Sequence, residues 1–335
     1  SLTRNGATLV NTSRLGVTLS DAPALDGNFR VVASRCTCYD DTWTQPWGER
    51  KKVRNNYCQL WLKLRQQDEL AREMIVVFRV FNDGIGFRYE WPQQRNLKNF
   101  VISDELTEFN LAEDSAAWWI PAYEPERYEY LYDESKVSEM GTAHTPVTFV
   151  REDGVSLSVH EAALVNFASM TLEQTDGAKL KANLVPWADG TKVKAATPFH
   201  SPWRTIQVGA NPGELVTSYM ILNLNEPNKL EDTSWIKPGK FAGVWWEMHL
   251  NKSTWGSGPQ HGANTANVKR YIDFAAENGF AGVLAEGWNE GWDGDWTANG
   301  DKFSFTKPYA DFELKELARY AKEKGITPRD CSKES

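Results

Sequence analysis

The sequence predicts a multidomain β and α/β protein: a large all-β domain followed by the first strand-helix units of a parallel α/β fold. Three observations carry that expectation. From Ser1 to about Asn225, short apolar runs alternate with period 2 and are cut repeatedly by Gly, Asn, Asp or Pro. Beyond residue 240, continuous apolar runs alternate with stretches of helical periodicity. Between the two lies a segment with two prolines, several Asn and Asp, and little periodicity, which reads as a linker over 225–240.

The first part, 1–224, supplies strand candidates in order. Gln59–Leu64, Met74–Phe81 and Gly86–Trp91 alternate, and Asn82-Asp83-Gly84 between the last two reads as a hairpin turn because Asp and Gly tolerate positive φ. Pro92 stops the third run. Val147–Val150, Ser156–Glu161 and Met170–Glu173 continue the pattern, and so many strands imply two large stacked sheets.

In the second part, 241–326, Phe241–Trp246 is a continuous apolar run suited to a strand buried on both faces. A helix follows, with Asn264 or Thr265 as N-cap, Val268, Tyr271, Ile272 and Ala275 on one side, and Asn278-Gly279 as its stop. Ala281–Ala285 is the next buried strand. A second helix is expected over Asp311–Lys324, with Phe312, Leu314, Leu317, Ala318 and Ala321 inward and Gly325 as its stop. Strand and helix in alternation mean a parallel sheet, and the stretch is far shorter than the ~250 residues of a complete (β/α)8 barrel. The polar segment 327–335 is expected to be an aberrant tail.

Composition narrows the function classes. With 335 residues, 41% of them hydrophobic, the chain buries a sizeable core, and a formal charge of −8 without a basic block argues against nucleic-acid and polybasic membrane partners. No run reaches the roughly 18 apolar residues of a membrane span. The N-terminus has no basic and apolar leader, so a signal peptide is expected to have been removed. Cys36, Cys38, Cys58 and Cys331 lack the spacing of a zinc site and read as packing residues or one incidental bridge. The 15 tryptophans are many for this length, and flat indole faces suit stacking on sugar rings as well as core filling.

A set of ordered segments resembles glycoside hydrolase family 97. They are Pro46–Glu49, the FRVFNDGIGFRYE run Phe78–Glu90, Trp118–Pro121, VHEAAL at Val159–Leu164, and Pro202-Trp203-Arg204. More specific are Trp235–Lys240, GVWWEMH at Gly243–His249, and VLAEGWNEGWDGDW at Val283–Trp296. The wording of the last two is closer to the inverting α-glucosidase branch than to the retaining α-galactosidase branch. The resemblance implies an N-terminal β-super-sandwich, a (β/α)8 TIM barrel of which this chain holds the start, and calcium as cofactor. It also implies calcium-dependent hydrolysis of α-glucosidic bonds in starch-derived oligosaccharides with inversion, in the periplasm or outside the cell.

The same resemblance implies Glu161 as the one metal ligand from the sandwich, and places the catalytic carboxylates on later barrel strands. This chain alone is therefore expected to be inactive. Glu161 ends a strand-like run, where a carboxylate could reach a neighbouring domain, and its neighbour His160 points to the other face. At the barrel's C-terminal rim, where this fold binds substrate, Trp292, Trp288, Asn289 and His249 are the expected substrate-binding residues. Glu286 and Glu290 are a tempting acid and base but are read as structural, and Asp293, Asp295 and Asp301 as a solvated acidic loop without an EF-hand pattern. Competing readings are an α-galactosidase of the same family, a non-catalytic carbohydrate-binding sandwich, and a scaffold that forms a homodimer.

Overall fold

The computed structural model describes residues 1–124, 130–295, 298 and 300–330. Contacts divide the chain into two compact units, Ser1–Lys229 and Leu230–Ser335.

Among the described residues the first unit is β-structure organised on one large antiparallel sheet. Its strands run in the order Asp133–Lys136, Ala116–Trp119, Val147–Val150, Ser156–Ala162, Trp203–Gly209, Gly84–Trp91, Glu73–Phe81, Lys52–Gln66 and Phe29–Thr44. A four-stranded and a three-stranded sheet contribute Phe109, Leu172, Leu180, Phe100, Ile102 and Val193 to the same core as Val76, Tyr89, Phe149 and Leu157 of the large sheet. The period-2 pattern explains the layering. In Glu73–Phe81, Met74 and Val76 enter that core, while Ile75, Val77 and Phe81 face the opposite side with Trp203, Met220 and Leu224. The expected pair of large sheets is thus one large sheet covered by two smaller ones, because the runs over 99–110 and 170–196 are too short to pair into a single second layer.

The hairpin at Asn82 and Asp83 joins Glu73–Phe81 to Gly84–Trp91 with Phe81 opposite Gly84. Cys38 and Cys58 face each other across the two longest strands and form a disulfide, Cys36 is free and exposed, and Cys331 lies outside the described residues.

The second unit carries a parallel sheet ordered Phe241–Val244, Gly282–Ala285, Thr327–Asp330. The first helix spans Thr265–Glu277, and the Asn264 side chain accepts a hydrogen bond from the Asn267 backbone N–H. Val268, Ile272 and Ala275 are its buried face, against Val244 and Val283.

Three expectations are corrected here. The strand expected over Phe241–Trp246 ends at Val244, and Trp246–His249 is a short helical turn that carries His249. The second long helix is Leu314–Glu323; it begins after Asp311 because that residue's carbonyl accepts from the backbone N–H and hydroxyl of Thr265. Thr327–Asp330 is a third parallel strand and not the start of a tail, since its backbone completes the ladder beside Gly282–Ala285. Residues 331–335 of that expected tail lie outside the described residues.

Candidate functional site

In the first unit, alternation along Ser156–Ala162 points Leu157, Val159 and Glu161 into the sandwich core. Glu161 stands opposite Arg204 in the register and is only 7% exposed. Its Oε2 accepts from Arg204 Nη1 at 2.6 Å, and its Oε1 accepts from the Met170 backbone N–H at 3.0 Å. The same guanidinium donates through Nε and Nη2 to both oxygens of Glu105, at 2.8 and 2.6 Å. Thr107 donates to Glu105 Oε1, which leaves the Tyr89 hydroxyl to donate to Thr107 while accepting from the Gly16 N–H. Arg204 and Glu105 are fully buried.

One cation serving two buried carboxylates leaves an excess negative charge. Burial pushes the Glu161 carboxyl above its ordinary value; Arg204 and the Met170 N–H oppose the rise, and the like charge of Glu105 adds to it. Burial works against the Arg204 charge as well, but the two carboxylates overcome it and hold the guanidinium above its ordinary value. On the opposite face, His160 Nδ1 lies 3.0 Å from the Thr145 hydroxyl, and burial lowers its pKa.

This arrangement does not fit a calcium ion. Calcium takes six to eight oxygens, several of them charged, whereas both Glu161 oxygens already accept hydrogen bonds, one from a guanidinium. Among the described residues no group of three or more His, Cys, Asp or Glu could hold a metal. Glu161 stands at the strand's end as expected, one residue before its close at Ala162, but its carboxylate is buried and paired with Arg204.

In the second unit the sequence-expected rim residues gather at the C-terminal ends of the parallel strands. His249 sits among three indoles, 5.0 Å from Trp245, 5.5 Å from Trp246 and 5.2 Å from Trp255 between ring centroids. Its Nε2 is buried without a hydrogen-bond partner among the described residues. Trp292 stacks on Trp255 at 5.3 Å and 13°, with Phe303 edge-on at 5.4 Å. Asn289 is buried; its Oδ1 accepts from Trp292 Nε1 at 3.0 Å and its amide donates to the Ser304 carbonyl. Asn289 therefore fixes Trp292 rather than presenting its own amide. Trp288 is 2% exposed and packs on Phe312 in the core, so its indole offers no open face and the stacking role expected of it is corrected to packing.

The acidic loop is exposed at Asp293, Asp295 and Asp301, as expected, and Asp293 is in addition a tie. Asp293 Oδ1 accepts from the Ser257 N–H at 2.8 Å and from its hydroxyl at 3.1 Å. The Tyr309 phenol, which accepts from the Trp292 N–H, is pushed up to about 12 by burial, by its hydrogen bond to Asp293 and by that residue's charge. A Cβ on Gly256 would lie 2.3 Å from Asp293 Oδ1, and one on Gly287 2.6 Å from the Trp255 carbonyl, so both glycines permit the two rim loops to approach. His261 adds a second link, Nδ1 being 2.8 Å from Asp311 Oδ2 and Nε2 2.8 Å from the Gly287 carbonyl. Glu290 pairs with Lys307, and Glu247 accepts from Asn267, so neither is a free acid or base here. Trp296, the last residue of the longest motif, lies outside the described residues.

The rim gathers these aromatic side chains at the C-terminal ends of the second unit's parallel strands. Residues 1–227 match the family description Glycosyl-hydrolase 97 N-terminal, and residues 245–329 match Glycoside hydrolase 97. The chain belongs to glycoside hydrolase family 97. Within this family it is similar to an enzyme from Pseudoalteromonas sp. strain K8 solved in complex with acarbose. The two share 46% identity with a TM-score of 0.87, over 96% of this chain and 49% of that one. A variant of that enzyme was solved with panose at the same identity, coverage and TM-score. A retaining alpha-galactosidase from Bacteroides thetaiotaomicron is 25% identical over 97% of this chain and 51% of its own length. A β-arabinopyranosidase at 20% identity and TM-score 0.76 shares the fold, over 98% of this chain and 51% of that one. This family 97 chain spans about half the length of the relatives it matches. Sequence reasoning missed Glu105, which stands in no motif, and the Asp293 tie. Arg204 was within reach as the last residue of Pro202-Trp203-Arg204.

Proposed function

We propose that this chain supplies the sandwich and the opening barrel strands of a glycoside hydrolase that cleaves α-glucosidic bonds in starch-derived oligosaccharides with inversion, in the periplasm or outside the cell. The observation that carries the reading is the 46% identity to a family 97 enzyme solved with acarbose and panose, against 25% to the relative named as a retaining alpha-galactosidase. Panose is built of α-linked glucose units, the linkage class the reading requires.

Inversion needs one carboxylic acid to protonate the leaving oxygen and one carboxylate to activate water, about 6.5–9.5 Å apart. The described residues supply the surroundings of such a pair rather than the pair. Trp255 and Trp292 form a flat rim for a pyranose, Asn289 fixes the Trp292 ring, and the Asp293, Ser257 and Tyr309 tie holds both rim loops in register. A calcium ion in this account needs ligands from outside the described residues, and no step is assigned to it. The α-galactosidase reading of the same family is the direct competitor. Assay of the protein from the full reading frame that encodes this chain, on p-nitrophenyl α-glucoside and α-galactoside, separates the two. A kcat/KM favouring the glucoside supports the proposal, and preference for the galactoside rejects it.

A further inference from the structure

The first unit carries an open cleft of ≈ 490 Å³ that none of the site residues above line. Val193 forms its buried floor, Phe167, Ala168 and Ser169 one wall, and Pro186 with Trp187 the other. Trp187 is 65% exposed, one of the most exposed tryptophans of the described residues, yet its backbone is firmly held. Its N–H donates to the Thr191 carbonyl at 2.8 Å, and its carbonyl accepts from Gly190 at 2.9 Å. Asp189 braces the same turn, accepting from the Thr191 N–H and hydroxyl and from Lys194 Nζ. An exposed indole on a braced turn keeps its position at little entropic cost when a ligand stacks on it.

The facing wall is equally built. Phe167 stacks on Phe199 at 6.2 Å and 18°, and the Arg204 guanidinium lies 5.5 Å from the Phe167 ring, so the wall is anchored in the buried core. Between the walls, the Asn166 amide, the Ser169 hydroxyl and the Trp187 indole N–H have no hydrogen-bond partner among the described residues. Asn166 holds a left-handed backbone, φ 51°, at the cleft edge. The lining contains no Asp or Glu; of its two lysines, Lys194 is paired with Asp189 and Lys192 donates to the Leu184 carbonyl.

We infer that this cleft is a sugar-binding site of the sandwich unit, which holds an α-linked oligosaccharide by stacking a pyranose face on Trp187 and hydrogen-bonding its hydroxyls to Asn166 and Ser169. An aromatic plane beside uncharged donors and acceptors is the complement of a pyranose, which has an apolar face and a polar rim. A cleft without carboxylates offers no acid or base for hydrolysis, so it retains the ligand and does not cleave it. The inference takes its ligand class from the α-glycoside reading, and fails independently of it, because binding here is read without turnover.

Titration calorimetry of this whole chain with maltotriose and with raffinose tests it. Binding of at least one of them at millimolar ligand is expected. The W187A variant, with an unchanged melting temperature, should weaken it at least about tenfold, the size expected on removing an aromatic anchor. N166G, which keeps the left-handed backbone and removes the amide, should weaken it too, while W235A, at an equally exposed indole that does not line the cleft, should leave it unchanged. No binding of either sugar, or binding that W187A leaves at full strength, overturns the inference.

Discussion

Replacing Arg204 by Met tests the reading of the sandwich core as an electrostatic device. The substitution keeps an apolar stem of similar reach and removes three charge-assisted hydrogen bonds, two to Glu105 and one to Glu161. It strands two carboxylates that have no second cation beside them among the described residues, one fully buried and one 7% exposed. Breaking a buried pair by removing one partner costs about 3–5 kcal/mol, and we take ~4 kcal/mol because Glu161 keeps its bond from Met170. For a unit of this size, each kcal/mol moves the melting temperature by roughly 2–4 °C, so R204M should melt about 8–16 °C lower. Differential scanning calorimetry at neutral pH measures it. Protonating the stranded carboxylates removes their charge, so the deficit should shrink on acidification. A loss below about 1 kcal/mol, or a deficit that is the same in acid and at neutrality, refutes the reasoning.

Four further outcomes follow from the same geometry. Glu161, whose native pKa is raised, contributes stability that is present below its unfolded value and lost as pH rises through the native one; the stability of E161Q relative to the parent should therefore improve from acid to neutral pH in paired urea melts, and a flat difference contradicts the assignment. Because the described residues do not fit a calcium cage, millimolar calcium or EDTA should leave the melting temperature of this chain unchanged, and a calcium-dependent rise would show a site that the Arg204 pairing hides. D293N should bring the Tyr309 phenol down from about 12 toward its ordinary value in a spectroscopic pH titration, whereas an unmoved titration denies the Asp293 bond its part. This chain alone, assayed on p-nitrophenyl α-glucoside, should show no turnover, since Glu247 and Glu290 are engaged with Asn267 and Lys307; turnover near that of a full-length relative overturns this.

Much of the fold was legible because local chemistry and tertiary demand agree. Val147–Val150 and the Asn264-capped helix appear as the pattern required, and the Asn82-Asp83 turn joins the strands it was expected to join. Boundaries failed where a tertiary bond overrode the pattern. Asp311 looks like a helix start, but its carbonyl serves Thr265 from a segment far away in sequence. Trp245 and Trp246 look like more strand, yet the chain turns into a short helix there. Thr327–Asp330 lacks apolar residues around Pro328 and Arg329, and only its backbone pairing reveals the strand.

The site was legible by type and less so by role. Tryptophans and Asn289 do gather at one rim, but periodicity cannot tell which indole keeps an open face. Trp288 and Trp292 are four residues apart; one is buried on Phe312 and the other, half-buried, stacks on Trp255 at the rim. Glu161 stands in a motif, whereas Glu105, which shares Arg204 with it, was invisible because 99 residues separate it from Arg204.

The anomer released first decides whether the proposed action on α-glucosides proceeds with inversion. Proton NMR of maltose cleavage by the protein from the full reading frame should show β-glucose accumulating first from the newly formed end, with α-glucose following by mutarotation. Initial release of α-glucose, or cleavage confined to α-galactosides, contradicts it.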